Sequence, residues 1–267
     1  IGRDAMVTNT VTGNNNVAIG HDALKGMGDA YGNIGIGTQA GSGNVHSDLN
    51  IAIGYQAGRA IAGANKTIMM GYRAGELAIY INTSGNQIFI GSEAAQYVGF
   101  GSKSTGDSNV FIGTHAGRHI TYASQNTVVG HFAYGRLGGS GQHEVSASNI
   151  TTFGYAAGQY STGSYNTFVG SEAGKGGTTS APYSSGQYNI AVGYKALTGF
   201  TTGDNNIAIG YQAADSLTTA DMVVAIGDNA LQSLTGGGYG VAIGRQALQA
   251  ETGDYEFVSI GNLSGQN

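Results

Sequence analysis

One motif, Asn-x-x-apolar-Gly-x-x-Ala, recurs with variations through all 267 residues. It reads Asn16-Val-Ala-Ile-Gly20-His-Asp-Ala23, then Asn50-Ile-Ala-Ile-Gly54-Tyr-Gln-Ala57, then Asn206-Ile-Ala-Ile-Gly210-Tyr-Gln-Ala213. A short motif at a fixed period is the signature of a repeat architecture, and it constrains the fold before any other feature does. With the motif glycine as position 0, the copies fall at Gly2, Gly20, Gly37, Gly54, Gly71, Gly91, Gly113, Gly130, Gly154, Gly170, Gly193, Gly210, Gly227, Gly244 and Gly261. Most intervals are 17 residues, and the intervals after Gly71, Gly91, Gly130 and Gly170 are 20, 22, 24 and 23.

Position −1 is apolar in every copy, −3 is Ile, Val or Thr, and +3 is Ala except at Ser264. Side chains alternate along an extended segment, so −3 and −1 share one face. Their β-branching suits a strand, and the apolar run is too short for a helix. The expectation is an all-β, parallel β-roll or β-solenoid of about 15 coils of ~4.8 Å each, a rod roughly 70 Å long. In each coil −3 and −1 form the core line. The glycine turns the chain at positive φ, a second short strand spans +1 to +4, and the +3 alanine points inward. Asn at −4 either forms a hydrogen-bonded ladder between coils or suits the turn before the strand. No coil buries its apolar face alone, so coils stack. Residues 1–267 read as a single elongated repeat domain, a fragment or processed part of a longer fibre.

Composition excludes several classes. Gly is 48 and Pro is 1, without the Gly-x-y period of collagen. Net charge is −5, with no Lys/Arg cluster, which argues against nucleic acid. No run of eighteen apolar residues is present, so no membrane-inserted helix is expected. Cysteine is absent, which removes disulfides and thiolate metal sites. No catalytic motif for nucleophilic, phosphate-cradling or zinc chemistry appears. Glu93 and Glu172 share register +2, but four coils separate them by roughly 19 Å, too far for a glycosidase pair. The expectation is therefore no enzyme, no cofactor and no metal. His115, at +2 among polar residues, reads as exposed.

The string NxAIGxxA, as in Asn50 to Ala57 and Asn206 to Ala213, resembles the head repeats of YadA-like trimeric autotransporter adhesins. Similar repeats occur in phage tail fibres, and the lead-ins Gly203-Asp204-Asn205-Asn206 and Gly163-Ser164-Tyr165-Asn166 look like the phage versions. The resemblance implies a left-handed roll, a homotrimer about a threefold axis, an extracellular location on a virion tail fibre or bacterial cell surface, and attachment to a glycan or protein receptor. Position −2, expected to face outward, is often apolar: Ala18, Ala52, Met69, Phe89, Phe111, Val128, Phe168, Ala191, Ala208, Ala225 and Ala242. Burial against sister chains, or beneath a loop of the same chain, would cover that row.

Receptor contact is expected where the repeat is interrupted, since function concentrates on loops held by a rigid scaffold. The insertions run about 76–85, 96–107, 135–148 and 175–187. They carry Tyr80, Tyr97, Phe100, Arg136, His143, Glu144, Lys175, Tyr183 and Tyr188, aromatic and polar groups that suit a sugar. A second candidate is the tyrosine stripe at +1: Tyr55, Tyr72, Tyr155, Tyr194 and Tyr211. It is either an adhesive stripe or an amphipathic ladder that protects the sheet. The main alternative function is a structural shaft that binds nothing, and a polysaccharide depolymerase is a distant third.

Overall fold

The structure, a computed structural model, describes residues 1–7, 13–43, 46–60, 63, 65–77, 86–97, 107–120, 123–135, 147–177, 183–250, 252 and 256–265. The chain forms two compact units, one of residues 1–132 with 136–146 and one of 133–135 with 147–267. Both are β-solenoids built from the same coil. The first unit carries β1 (Val17–Ile19), β2 (Ile34–Ile36), β3 (Ile51–Ile53), β4 (Ile68–Met70), β5 (Ile88–Ile90), β6 (Val110–Ile112) and β7 (Thr127–Val129). The second carries β8 (Thr151–Phe153), β9 (Thr167–Val169), β10 (Ile190–Val192), β11 (Ile207–Ile209), β12 (Val224–Ile226), β13 (Val241–Ile243) and β14 (Val258–Ile260).

Within each unit consecutive strands pair in parallel and in register, Ile51 with Ile68 and Ile207 with Val224 for example. The pairing continues across the insertions, with Ile68 opposite Ile88 and Thr167 opposite Ile190. The repeat thus absorbs extra residues outside the strand.

The motif glycine turns the chain as expected, and the reason is close packing. Gly193 has φ +134, and a Cβ built there would lie 2.3 Å from the carbonyl oxygen of Gly210 in the next coil. Only hydrogen fits, and only glycine adopts that φ without strain. The +3 alanines from Ala23 to Ala247 are fully buried, also as expected.

Two expectations are corrected. Residues +1 to +4 are turn, not a second strand: +2 and +4 both sit in the left-handed region, as Gln212 (φ 50) and Ala214 (φ 50) show. These two residues turn their N–H groups along the stacking direction. Gln212 N–H donates to Tyr194 of the preceding coil at 2.9 Å, and Ala214 N–H donates to Ala230 of the following coil at 2.9 Å. The backbone ladder therefore continues beyond the strand, and hydrogen bonding offsets the strain of non-glycine residues at positive φ.

The second correction concerns the faces. The core line is −2, not −3 and −1. Met69, Phe89, Phe111, Phe168 and Ala208 are fully buried, whereas Val17, Ile19, Ile190 and Ile209 are about 40% exposed. The row at −2 is buried inside its own coil stack. In several coils a large −2 residue faces a glycine at +4: a Cβ on Gly117 would meet the Phe111 ring at 2.6 Å, and one on Gly174 would meet Phe168 at 2.2 Å. Phe89 faces Ala95 and Val128 faces Tyr134 at that register. Where −2 is alanine, +4 is often leucine, as in Ala18 with Leu24, Ala191 with Leu197, and Ala225 with Leu231; all six side chains are buried.

Asn at −4 forms a ladder whose partners include backbone groups of the next coil and neighbouring −4 side chains, as where Asn126 Nδ2 donates to Asn109 Oδ1 at 3.0 Å. Asn189 Oδ1 accepts from Asn206 N–H at 2.9 Å while its Nδ2 donates to Gly203 O at 2.9 Å. Asn33 does the same with Asn50 N–H (2.9 Å) and Ser47 O (2.8 Å). Each buried amide satisfies two groups of the next coil, which is why so polar a residue tolerates complete burial.

Candidate functional site

The outward face of each unit is a double column of residues −3 and −1, almost entirely Ile and Val with scattered Thr, Met and Phe. Alternation places them there once −2 is inside. Two further columns flank the strands in sequence. One is +1, which follows the motif glycine. The other is −5, which lies in the left-handed region in every coil, from Asn15 (φ 58) to Glu256 (φ 59).

The tyrosine stripe at +1 is exposed, with Tyr55, Tyr72, Tyr155, Tyr194 and Tyr211 all between 41% and 51%. Four of its rings stack in two pairs. Tyr55 and Tyr72 lie 5.5 Å apart at 10°, and Tyr194 and Tyr211 lie 5.4 Å apart at 23°. Arg73 sits 5.3 Å from the Tyr72 ring centre, and Lys195 sits 5.4 Å from that of Tyr194. The Tyr194 phenol, then the Glu172 carboxylate, raise the Lys195 ammonium pKa. A sugar stacks on an aromatic face. In these pairs, a face of each ring is turned toward a neighbouring ring or cation.

Of the insertion-loop residues, Tyr80, Phe100, Arg136, His143 and Glu144 lie outside the described residues. The others engage neighbours. Tyr97 stacks on His119 at 4.6 Å and 19°, with the Arg118 guanidinium 5.3 Å from its centre. Lys175 Nζ is 3.1 Å from Glu172 Oε2. Tyr183 is half-buried. Tyr188 is 53% exposed and lies parallel to Tyr165, 4.8 Å away at 2°. Tyr165 was not singled out from sequence. The signal was available, because Tyr165 and Tyr188 both occupy −5 across the 23-residue interval.

His115 is not exposed as expected. Its side chain is 21% exposed, stacked on Phe132 at 4.7 Å, with His131 at 6.2 Å and Nε2 3.1 Å from Glu93 Oε2. The same carboxylate oxygen lies 3.1 Å from Arg118. Burial, and then the Arg118 charge, push the His115 pKa below the ordinary histidine value despite Glu93. A second polar cluster surrounds the buried Glu76. Arg73 lies 3.3 Å from Glu76 Oε2, and Gln96 Nε2 donates to that oxygen at 2.9 Å.

Among the described residues one group, Asp4, His21 and Asp22, brings three potential metal-ligand atoms within 4.8 Å of one another. Cations already occupy it: Lys25 Nζ is 2.9 Å from Asp22 and Arg3 is 2.8 Å from His21. That set is an ion-pair cluster.

Comparison with protein-family models, with curated proteins and with solved structures finds no match.

Proposed function

We propose that this chain is a non-enzymatic segment of an extracellular fibre, carried on a virion tail or a bacterial surface, that assembles as a homotrimer and attaches to a cell. One observation carries the reading. The outward −3 and −1 columns place Ile190, Ile209, Val17 and Ile19 in solvent at 37–44% exposure, and the other described residues of these columns are half-buried or exposed, none of them fully covered. Soluble proteins rarely leave so extended an apolar surface uncovered. Two further copies of the same repeat offer matching columns at the same spacing, so three left-handed rolls cover one another about a threefold axis. This trimer differs from the one expected from sequence, because −3 and −1, not −2, meet the sister chains. The resemblance to adhesin and tail-fibre head repeats supports the same assembly.

Attachment is assigned to the insertion segments around 76–85, 96–107, 135–148 and 175–187, with a cell-surface glycan or protein as receptor. The stacked tyrosines favour the competing reading of a structural shaft, since their faces are turned to one another. Sedimentation equilibrium decides the assembly: three chain masses for the parent and one for Ile190→Lys combined with Ile209→Lys. A monomeric parent overturns it. Attachment is decided by cell binding with residues 136–146 replaced by a short turn. Loss of binding by a folded variant supports the adhesin, whereas a parent that binds no cell supports the shaft.

A further inference from the structure

We propose that Tyr165 and Tyr188 form an oxidative cross-linking site, at which the two phenols couple into a carbon–carbon-linked dityrosine that staples adjacent coils. The rings lie 4.8 Å apart and 2° from parallel, on neighbouring coils whose strands β9 and β10 are paired. Both are about half exposed, at 49% and 53%, so an oxidant reaches them and the rings have room to reorient. Both also hold the left-handed backbone conformation, at φ 63 and φ 57. Asn occupies that register at Asn15, Asn86, Asn149 and Asn205, a residue that accepts this conformation more readily. Leu49, Lys66, Met222 and Tyr239 hold the same conformation at this register, so the backbone places the two rings in one column and their stacking sets them apart.

Among the described residues two other tyrosine pairs stack, and electrostatics separates them from this one. Tyr72 lies beneath Arg73 and Tyr194 beneath Lys195. A cation against the ring face opposes removal of an electron from that ring. No cation–ring contact involves Tyr165 or Tyr188 among the described residues. The chain contains no Cys and no Trp, so no thiol or indole competes for the oxidant.

The reaction balances with hydrogen peroxide delivered by a peroxidase. Each phenol loses one electron and its hydroxyl proton. The two radicals join through their Cε carbons, and the two displaced Cε hydrogens return as protons to the oxygens, restoring both phenols. The peroxide takes up the two electrons and two protons and leaves as two waters.

The test treats the full chain with a haem peroxidase and limiting hydrogen peroxide, then digests it with trypsin. Cleavage after Lys175 and Lys195 puts Tyr165 and Tyr188 on different peptides. The expected product is one linked peptide pair, lighter than the two peptides by two hydrogen atoms, from protein that keeps its monomer position on a denaturing gel. Tyr165→Phe and Tyr188→Phe retain the rings and each abolishes that pair. The proposal is overturned if the yield at Tyr165–Tyr188 is no higher than at Tyr55–Tyr72 and Tyr194–Tyr211. Products that are mainly linked dimers, or a linked pair that survives in Tyr188→Phe, overturn it equally.

Discussion

In the first unit the core beneath β5 and β6 is filled from the strand. Phe89 and Phe111 stack at 5.5 Å and 10°, and the turn opposite Phe111 supplies Gly117. In the second unit the core beneath β10 to β13 is filled from the turn. The strands carry Ala191, Ala208, Ala225 and Ala242, while Leu197, Leu217, Leu231, Leu234 and Leu248 come from the other side and join one continuous apolar cluster. One coil cross-section therefore accepts its volume from either wall. The units differ in charge as well. All six histidines fall in the first unit, together with eight of the eleven Lys and Arg residues and eight of the sixteen Asp and Glu residues, so it is neutral at pH 7. The second unit has Lys175, Lys195 and Arg245 against eight carboxylates and carries the whole net charge of −5. Geometry is common to both units, and electrostatics is not.

The largest expected effect tests the exchange of volume. Phe111→Ala removes a fully buried ring and is expected to destabilise the protein by about 4 kcal/mol in denaturant unfolding. Adding Gly117→Leu converts the coil to the alanine–leucine type of the second unit and is expected to restore about half of that loss. Leucine is compatible with the backbone there, since Leu197 and Leu231 hold φ 53 and φ 50 at the same register, against 60 at Gly117. A double variant no more stable than the single would break the idea that strand and turn trade volume.

The ladder of asparagines comes next. Asn206 Oδ1 accepts from Val223 N–H at 3.0 Å and its Nδ2 donates to Ala220 O at 2.7 Å. Asn206→Ala leaves both buried groups without partners and is expected to cost about 2–3 kcal/mol. Amide exchange at Val223 should accelerate in that variant, while exchange in the first unit should not. Unchanged protection at Val223 would show that the ladder follows the backbone rather than holding it.

The smallest effect is electrostatic, and its sign differs between the units. His115 has a folded pKa below its ordinary 6.5. Its contribution to stability is therefore full above pH 6.5 and is lost as pH falls toward the folded value. Asp215 has a folded pKa raised above 3.8, with burial the main cause. Its contribution is present in acid and is lost as pH rises through that folded value. Mild acid should therefore accelerate amide exchange around β6 and β7 before it affects β11 and β12. His115→Gln should flatten the dependence in the first unit, and an unaltered profile would remove His115 as its cause.

Much of the scaffold was legible from sequence. The 17-residue period, the strand at −3 to −1, the glycine at 0 and the buried alanine at +3 all followed from residues that steric contact between coils leaves little freedom to vary. The faces were not legible by alternation alone, because −3, −2 and −1 are all apolar. An informative signal was the opposite sizes of −2 and +4 in several coils, as in Phe111 with Gly117 against Ala225 with Leu231. The turn at +1 to +4 departs from the expected strand because +2 is left-handed while carrying Gln, Glu, Lys or Asp in most coils, residues whose local propensity does not announce that conformation; the glycines at +4 in coils such as Gly117 and Gly174 were the available signal. Of the candidate site, exposure of the +1 tyrosines was foreseeable, but the engagement of Tyr97 by His119 and Arg118 depends on residues in the next coil.

The sequence alone determined a repeating parallel coil with one strand, one obligatory glycine and one inward alanine, because each requirement acts within a few residues or at a constant offset. Only the tertiary structure decided which apolar column is core and which faces outward, and which aromatic rings stack. Those outcomes depend on the volume left between opposite walls of a coil and on the coils above and below it. That volume exists only after the coils have stacked.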